Sequence, residues 1–361
     1  MSVVLDEPLT SDPTPPEPSG GAWRTRILPV AQGTPWVGWA LTLLVAVVGG
    51  ALRFYRLGTP KGRIFDEIYY ACDAQNLLRY GVEHATVEGN ANCVPTGTGA
   101  FIVHPPLGKW LIALGLKAFG TNEVGWRFAA AVAGTLTIVL VVRIGRRMTG
   151  STLLGVLAGL LLSLDGLHLV QSRVAMLDVF LVLFTTAAFA CLVADRDAVR
   201  RRLAATPDDA LRRRGPGLGL RPWLLACGAC LGAALATKWS GLYFVAALGL
   251  LAFAWEVGAR RTAGVRRPVR ATLTRSTLLL VAALVVLPVV LYTLSWAGWF
   301  ASDIGYDRHW ATQNPQTSFG FVPDALRSWW HYHSEIYGFH SHLDSKHPYQ
   351  SHPYGWLLLA R

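Results

Sequence analysis

Charge is what this sequence of 361 residues has least of. Asp, Glu, Lys and Arg make up 15% of it against a hydrophobic fraction of 52%, and residues 27–52, 148–164, 239–255 and 276–302 contain none of the four. Runs of about that length cross the roughly 30 Å of a bilayer's hydrocarbon core. The scarcity therefore excludes an ordinary water-soluble chain and predicts an integral membrane protein. Acidic residues are the scarcer sign, 22 against 33 Lys and Arg. The formal charge of +11 does not point to nucleic acid, because most of the excess is arginine in short blocks between apolar segments, the mark of cytoplasmic loops. Near Met1 there is no short basic region ahead of an apolar core, so no cleaved signal peptide is expected. Convincing internal repeats are absent, which argues against a secondary transporter.

The first 35 residues, with PTPPEPSGG at 13–21, are too rich in Pro, Gly, Ser and acids to pack and are expected to form a disordered cytoplasmic tail. Residues 36–361 form the membrane domain. Arginine blocks at Arg143, Arg146 and Arg147, at Arg200–Arg202 and Arg212–Arg214, and from Arg260 to Arg275 should all face the cytoplasm. That constraint gives spans near 36–52, 124–142, 152–170, 174–194, 222–238, 241–257 and 277–300, with an eighth beginning at the final LLLAR (357–361). WLIALGLKAF (110–119) is short and interrupted by lysine, so it is read as an interfacial or re-entrant helix opened by Pro105-Pro106. An all-α polytopic protein of seven to eight spans results, with two large extracytoplasmic loops at 53–123 and 301–354.

That sidedness gathers the polar residues on one face. Asp66 and Glu67 stand in RIFDEIYY (63–70) just beyond the first span. Neighbours at a helix start point in different directions, so one of the pair, Asp66, is assigned as the base. An N-cap position would favour its ionised form, and Glu67 would support it. Basic residues in apolar surroundings need partners, which makes Arg127, Arg173 and Lys238, together with His104 and Lys346, candidates for holding an anion. Asp165 and Asp178 read equally well as structural partners, Asp178 for Arg173. Seven of the ten histidines lie between His309 and His352, interleaved with aromatics, as suits sugar or phosphate contact; their spacing fits no strong zinc signature, and no metal or cofactor is expected. Cys191, Cys227 and Cys230 fall in or beside spans and read as packing. Cys72 and Cys93, both in the first external loop, are a candidate disulfide.

FDE (65–67), HPPLGKW (104–110), GWRFAAAVAGTL (125–136), QSRVAMLD (171–178), ATKWSGLY (236–243) and SKHPYQSHPYGW (345–356), in that order and with that sidedness, resemble the protein O-mannosyltransferase family in its actinobacterial form, over residues 36–361. The resemblance implies a GT-C glycosyltransferase fold in the cell membrane. It also implies transfer of mannose from polyprenyl-phosphate-mannose to Ser or Thr hydroxyls of exported proteins, with inversion at the anomeric carbon. The implied catalytic pair is Asp66 and Glu67, and the implied donor contacts are His104, Arg127, Arg173, Lys238, Lys346 and His347. Implied partners are the lipid donor, Ser/Thr-rich secreted or membrane proteins, the bilayer and the protein translocation machinery, with no nucleic acid. The family continues with further membrane helices beyond the point where LLLAR ends this sequence.

Overall fold

The computed structural model describes residues 22–90, 92–213, 215–315, 320–343, 351–352 and 354–355. A short helix α1 (Ala22–Ile27) leads into α2 (Pro35–Phe54). The segment after α2 carries α3 (Glu67–Tyr80), strands β1 (His84–Thr86) and β2 (Pro95–Gly99), and α4 (Leu107–Phe119). Then come α5 (Glu123–Thr149), α6 (Thr152–Leu164), α7 (Gly166–Gln171), α8 (Leu177–Ala204) and α9 (Asp208–Arg213). They are followed by α10 (Pro222–Leu235), α11 (Gly241–Thr262), α12 (Pro268–Arg275), α13 (Thr277–Val281), a π turn (Ala282–Val286) and α14 (Leu287–Ser295). The segment after α14 holds α15 (Ala297–Ala301), α16 (Trp310–Gln313) and α17 (Asp324–Ser341).

All seven segments expected to span are helical, but they differ in reach. Five are long and apolar enough to cross a membrane: α2, α5, α8, α11 and the continuous run Thr277–Ser295. The other two, α6 with 13 residues and α10 with 14, rise only about 20 Å. The reasons are local. The Asp165 carboxylate accepts from His168 N (2.7 Å) to start α7 in a new direction, and α10 ends in tight turns at Ala236–Trp239 closed by Thr237 N and Lys238 N on Ala234 O. The expectation of a tail through residue 35 is also corrected, for residues 22–35. Ile27, 2% exposed, buries among Val199, Leu203, Leu211 and Ala259, and Arg24 pairs with Asp208 at 2.8 Å. Residues 1–21 and the start of the expected eighth span lie outside the described residues.

At its arginine-rich end the bundle is tied by ion pairs between helices. Arg221 donates to both oxygens of Asp195 on α8 and, at 2.6 Å, to Glu256 on α11. Glu256 also accepts from Arg260 (2.9 Å) and Ser276 (2.5 Å). These side chains are almost wholly buried, where removing one partner strands a charge at a cost of about 3–5 kcal/mol.

At the other end the segment between α2 and α5 docks on the segment after α14. The β1–β2 hairpin is antiparallel, with His84 opposite Gly99 and Thr86 opposite Pro95. Glycine is required at 99, because a Cβ there would lie 2.3 Å from Ile304 O and Tyr306 N. Tyr332 on α17 is 1% exposed, and its hydroxyl accepts from Ile102 N at 2.7 Å. Around it Val82, Ile102, Tyr292, Trp296, Trp299 and Ile336 make one apolar core. Cys72 of α3 and Cys93 are bonded, Cα atoms 5.2 Å apart, which fastens the Gly- and Asn-rich connection between the strands to the helix that follows Asp66.

Candidate active site

Glu67, the first residue of α3, is completely buried, and its carboxylate is full. It accepts from Arg127 Nε and Nη2, both at 2.8 Å, from Ile64 N (3.0 Å) and from Ala175 N (2.9 Å). Four bonds are about what a carboxylate can take. Arg127 is equally committed. Beyond Glu67 its remaining donors reach Leu57 O (3.3 Å), Pro60 O (2.8 Å) and Gly62 O (3.0 Å), so all five N–H groups are placed. The pair pins the loop after α2 and the turn before α8 to the start of α5. Arg127 is therefore no ligand for a donor phosphate, contrary to expectation, because nothing of its guanidinium is left to offer.

Arg173 is turned toward the backbone at the end of α2. Its guanidinium donates to Leu52 O and Tyr55 O, each at 2.7 Å, and more weakly to Arg53 O and Arg56 O. Leu52 O and Arg53 O belong to the last turn of α2, which leaves them without intrahelical partners, Tyr55 and Arg56 follow directly, and a cation there also suits the helix dipole. Nor does Arg173 pair with Asp178, whose partner is Lys238 at 2.8 Å.

Asp66 contrasts with its neighbour. It occupies the N-cap position of α3 but makes no side-chain capping bond; its Oδ2 instead receives a long bond, 3.4 Å, from the Tyr70 hydroxyl one turn on. Burial pushes its carboxyl above the usual range, against the Tyr70 bond and the Lys238 charge, with Asp178 adding to the rise. The capping argument for an ionised Asp66 thus fails, and partial desolvation takes its place. A carboxylate raised toward neutrality with few hydrogen bonds is a better proton acceptor than a saturated one.

The groups around Asp66 come from four distant parts of the chain. Lys238, about a quarter exposed, brings the positive charge. The His104 ring lies 6.3 Å from Tyr70 and stacks on His340 of α17 at 5.4 Å. Burial, then Lys238 and His340, push the His104 imidazole down to about 3, so what it offers a phosphate or sugar is a neutral N–H or lone pair. Trp239 stacks on His333 at 5.8 Å and lies 6.2 Å from His340. Tyr292 Oη joins Trp239 Nε1 (2.9 Å) to His333 Nε2 (2.6 Å), and His333 Nδ1 meets Trp329 O at 2.7 Å. His333 is held down to about 4, chiefly by burial.

Of the residues expected from sequence, Asp66, Lys238 and His104 are brought together, Glu67 and Arg127 stand behind them as framework, and Arg173 caps α2. Lys346 and His347 lie outside the described residues. His333, His340 and Trp239 were not singled out. The first two are seven apart on α17, a spacing that puts them on one helix face, and Trp239 adjoins Lys238.

This arrangement sits on a matched frame. The family model of dolichyl-phosphate-mannose-protein mannosyltransferases matches residues 42–301. The chain belongs to this family. It is 42% identical over 335 residues to a polyprenol-phosphate-mannose--protein mannosyltransferase of Mycolicibacterium smegmatis, covering 90% of this chain and 63% of that one. A protein of the same name from Mycobacterium tuberculosis is 40% identical over 375 residues, covering all of this chain and 69% of that one. The chain thus spans roughly two thirds of the length of these relatives. Among solved structures, the Saccharomyces cerevisiae protein O-mannosyltransferase Pmt1-Pmt2 complex bound to the sugar donor matches with a TM-score of 0.55 at 22% identity, over 78% of this chain and 35% of that one. The fold is shared.

Proposed function

We propose that the protein transfers mannose from polyprenyl-phosphate-mannose to Ser or Thr hydroxyls of exported proteins, inverting the anomeric carbon in one displacement. The observation that carries this reading is Asp66: a half-buried carboxylate with one long hydrogen bond, beside Lys238, in a chain of the mannosyltransferase family. The Asp66 carboxylate takes the proton of the acceptor hydroxyl as its oxygen bonds to the anomeric carbon. On the opposite side of that carbon the bond to the phosphate oxygen breaks, and the lipid phosphate leaves as an anion met by Lys238 and by histidine N–H groups. The partly exposed Trp239 and Trp329 rings supply apolar faces for sugar C–H groups. No resident cofactor enters this scheme.

The reading places seven or eight spans in the cell membrane, the N-terminus and arginine-rich end in the cytoplasm, and both external segments outside, where the donor's head group and an emerging polypeptide meet, with the translocation machinery as a natural neighbour. Membranes holding the protein should move radiolabelled mannose from synthetic polyprenyl-phosphate-mannose onto a Ser/Thr-rich peptide, and Asp66→Asn should stop this. Transfer to a lipid-linked acceptor but to no peptide would favour a second reading, a GT-C transferase of the same donor class acting on lipid or glycan.

A further inference from the structure

On the side of α17 away from His333 and His340, a second group of side chains has a different character. His331 and Glu335 are four residues apart and so share a helix face. Asp307 reaches the same point from the turn before α16. His331 Nε2 lies 3.4 Å from Asp307 Oδ2 and 3.5 Å from Glu335 Oε1, and all three ligand atoms fall within 4.8 Å of one another. Four-coordinate zinc with bonds of about 2.1 Å separates its ligands by roughly 3.4 Å, so two of the three spacings are already those of a coordination sphere. The three residues are half-buried, Glu335 Oε2 is shielded from solvent, and the Tyr306 hydroxyl is the donor beside Glu335. Trp310 covers the imidazole, stacked at 3.9 Å and 6° from parallel.

We propose that Asp307, His331 and Glu335 form a binding site for a divalent first-row cation, with zinc the best fit to one imidazole and two carboxylates. A neutral imidazole with two carboxylates leaves a charge of −2 for the ion to neutralise, and the mixed nitrogen and oxygen donors suit Zn2+ or Mn2+ better than Mg2+ or Ca2+. The remaining position is open to water. The role is structural: the ion ties the 303–310 turn to the outer face of α17, and the inner face of that helix carries His333 and His340. No local motif announces the site, because its third ligand lies 24 residues before His331 in the sequence.

The test uses the purified protein in detergent, stripped with chelator and reloaded with Zn2+, then with Co2+ as a spectroscopic probe. The expected result is one equivalent of tightly held metal, a visible Co2+ spectrum of a tetrahedral site, and a melting temperature raised by Zn2+. His331→Gln and Asp307→Asn should each weaken Zn2+ binding by at least about 100-fold, since loss of a ligand exceeds the 10- to 100-fold cost of losing an outer-shell partner. Asp307→Asn, an isosteric change in a turn outside the helices, keeps the test valid if the helix variant fails to fold. Wild-type protein that takes up no stoichiometric metal, or variants that hold it as tightly, would overturn the proposal and leave His331 as a hydrogen-bonding neighbour of two carboxylates.

Discussion

The two ends of the bundle treat buried charge differently. At the arginine-rich end, Asp195, Arg221, Glu256, Arg260 and Ser276 satisfy one another almost completely. At the opposite end, the Glu67–Arg127 pair is equally full, yet one residue away, among the described residues, Asp66 has a single 3.4 Å side-chain bond and Lys238 pairs only with a half-exposed Asp178. Saturation marks framework, and shortage of partners marks the place where a substrate supplies the rest. A carboxylate with four hydrogen bonds has no free lone pair for a proton; one with a single long bond does.

Several variants can break this contrast. The largest effect is expected at Asp66: replacement by Asn should lower mannose transfer by about 10²- to 10⁴-fold, the range for loss of a general base, in a labelled-donor assay. Next come the saturated pairs. Glu67→Gln at one end and Arg221→Met at the other should each cost about 3–5 kcal/mol by leaving a buried charge unpaired, read from melting in detergent. Arg221→Met should leave transfer per folded molecule unchanged, and a selective loss of activity there would blur the contrast. Lys238→Ala should cost roughly 1.5–3 kcal/mol of donor recognition, the worth of a hydrogen bond to a charged group, seen as a raised donor KM or lowered kcat/KM.

The smallest effect concerns pH. The folded-state pKa of Asp66 is raised above its unfolded value. The folded state therefore holds this proton more tightly, and the group's contribution to stability is present in full below the unfolded pKa and lost as pH rises through the folded one. Transfer should rise with pH over that same interval, because the base must be ionised. At neutral pH Asp66→Asn should melt slightly above wild type, because the raised pKa marks a carboxylate charge held at some expense of stability. His104, held down to about 3, stays neutral across the interval and adds nothing to that limb.

Charge-free runs and arginine blocks made the helical membrane architecture legible from sequence, and the order of short motifs made the family legible. Three features were not. The shortness of α6 and α10 depends on an Asp165 cap and a turn at 236–239 that hydropathy does not see. Whether Arg127 and Arg173 were free cations was decided by carbonyls 65–70 and 117–121 residues away in sequence, a tertiary fact. The partners of Asp66 were half visible: Lys238 and His104 stood out as polar residues in apolar context, whereas His333 and His340 were hidden in a histidine-rich segment until α17 gave them a common face.

The adjacent pair Asp66 and Glu67 offers the most direct measurement. Asp66→Asn and Glu67→Gln should be prepared side by side and each scored for mannose transfer and for melting temperature. The expected result is a split: Asp66→Asn loses transfer while melting at or above wild type, and Glu67→Gln melts well below it. Retained transfer in Asp66→Asn, or equal loss of melting temperature in both, would contradict the division of one carboxylate for chemistry and one for framework.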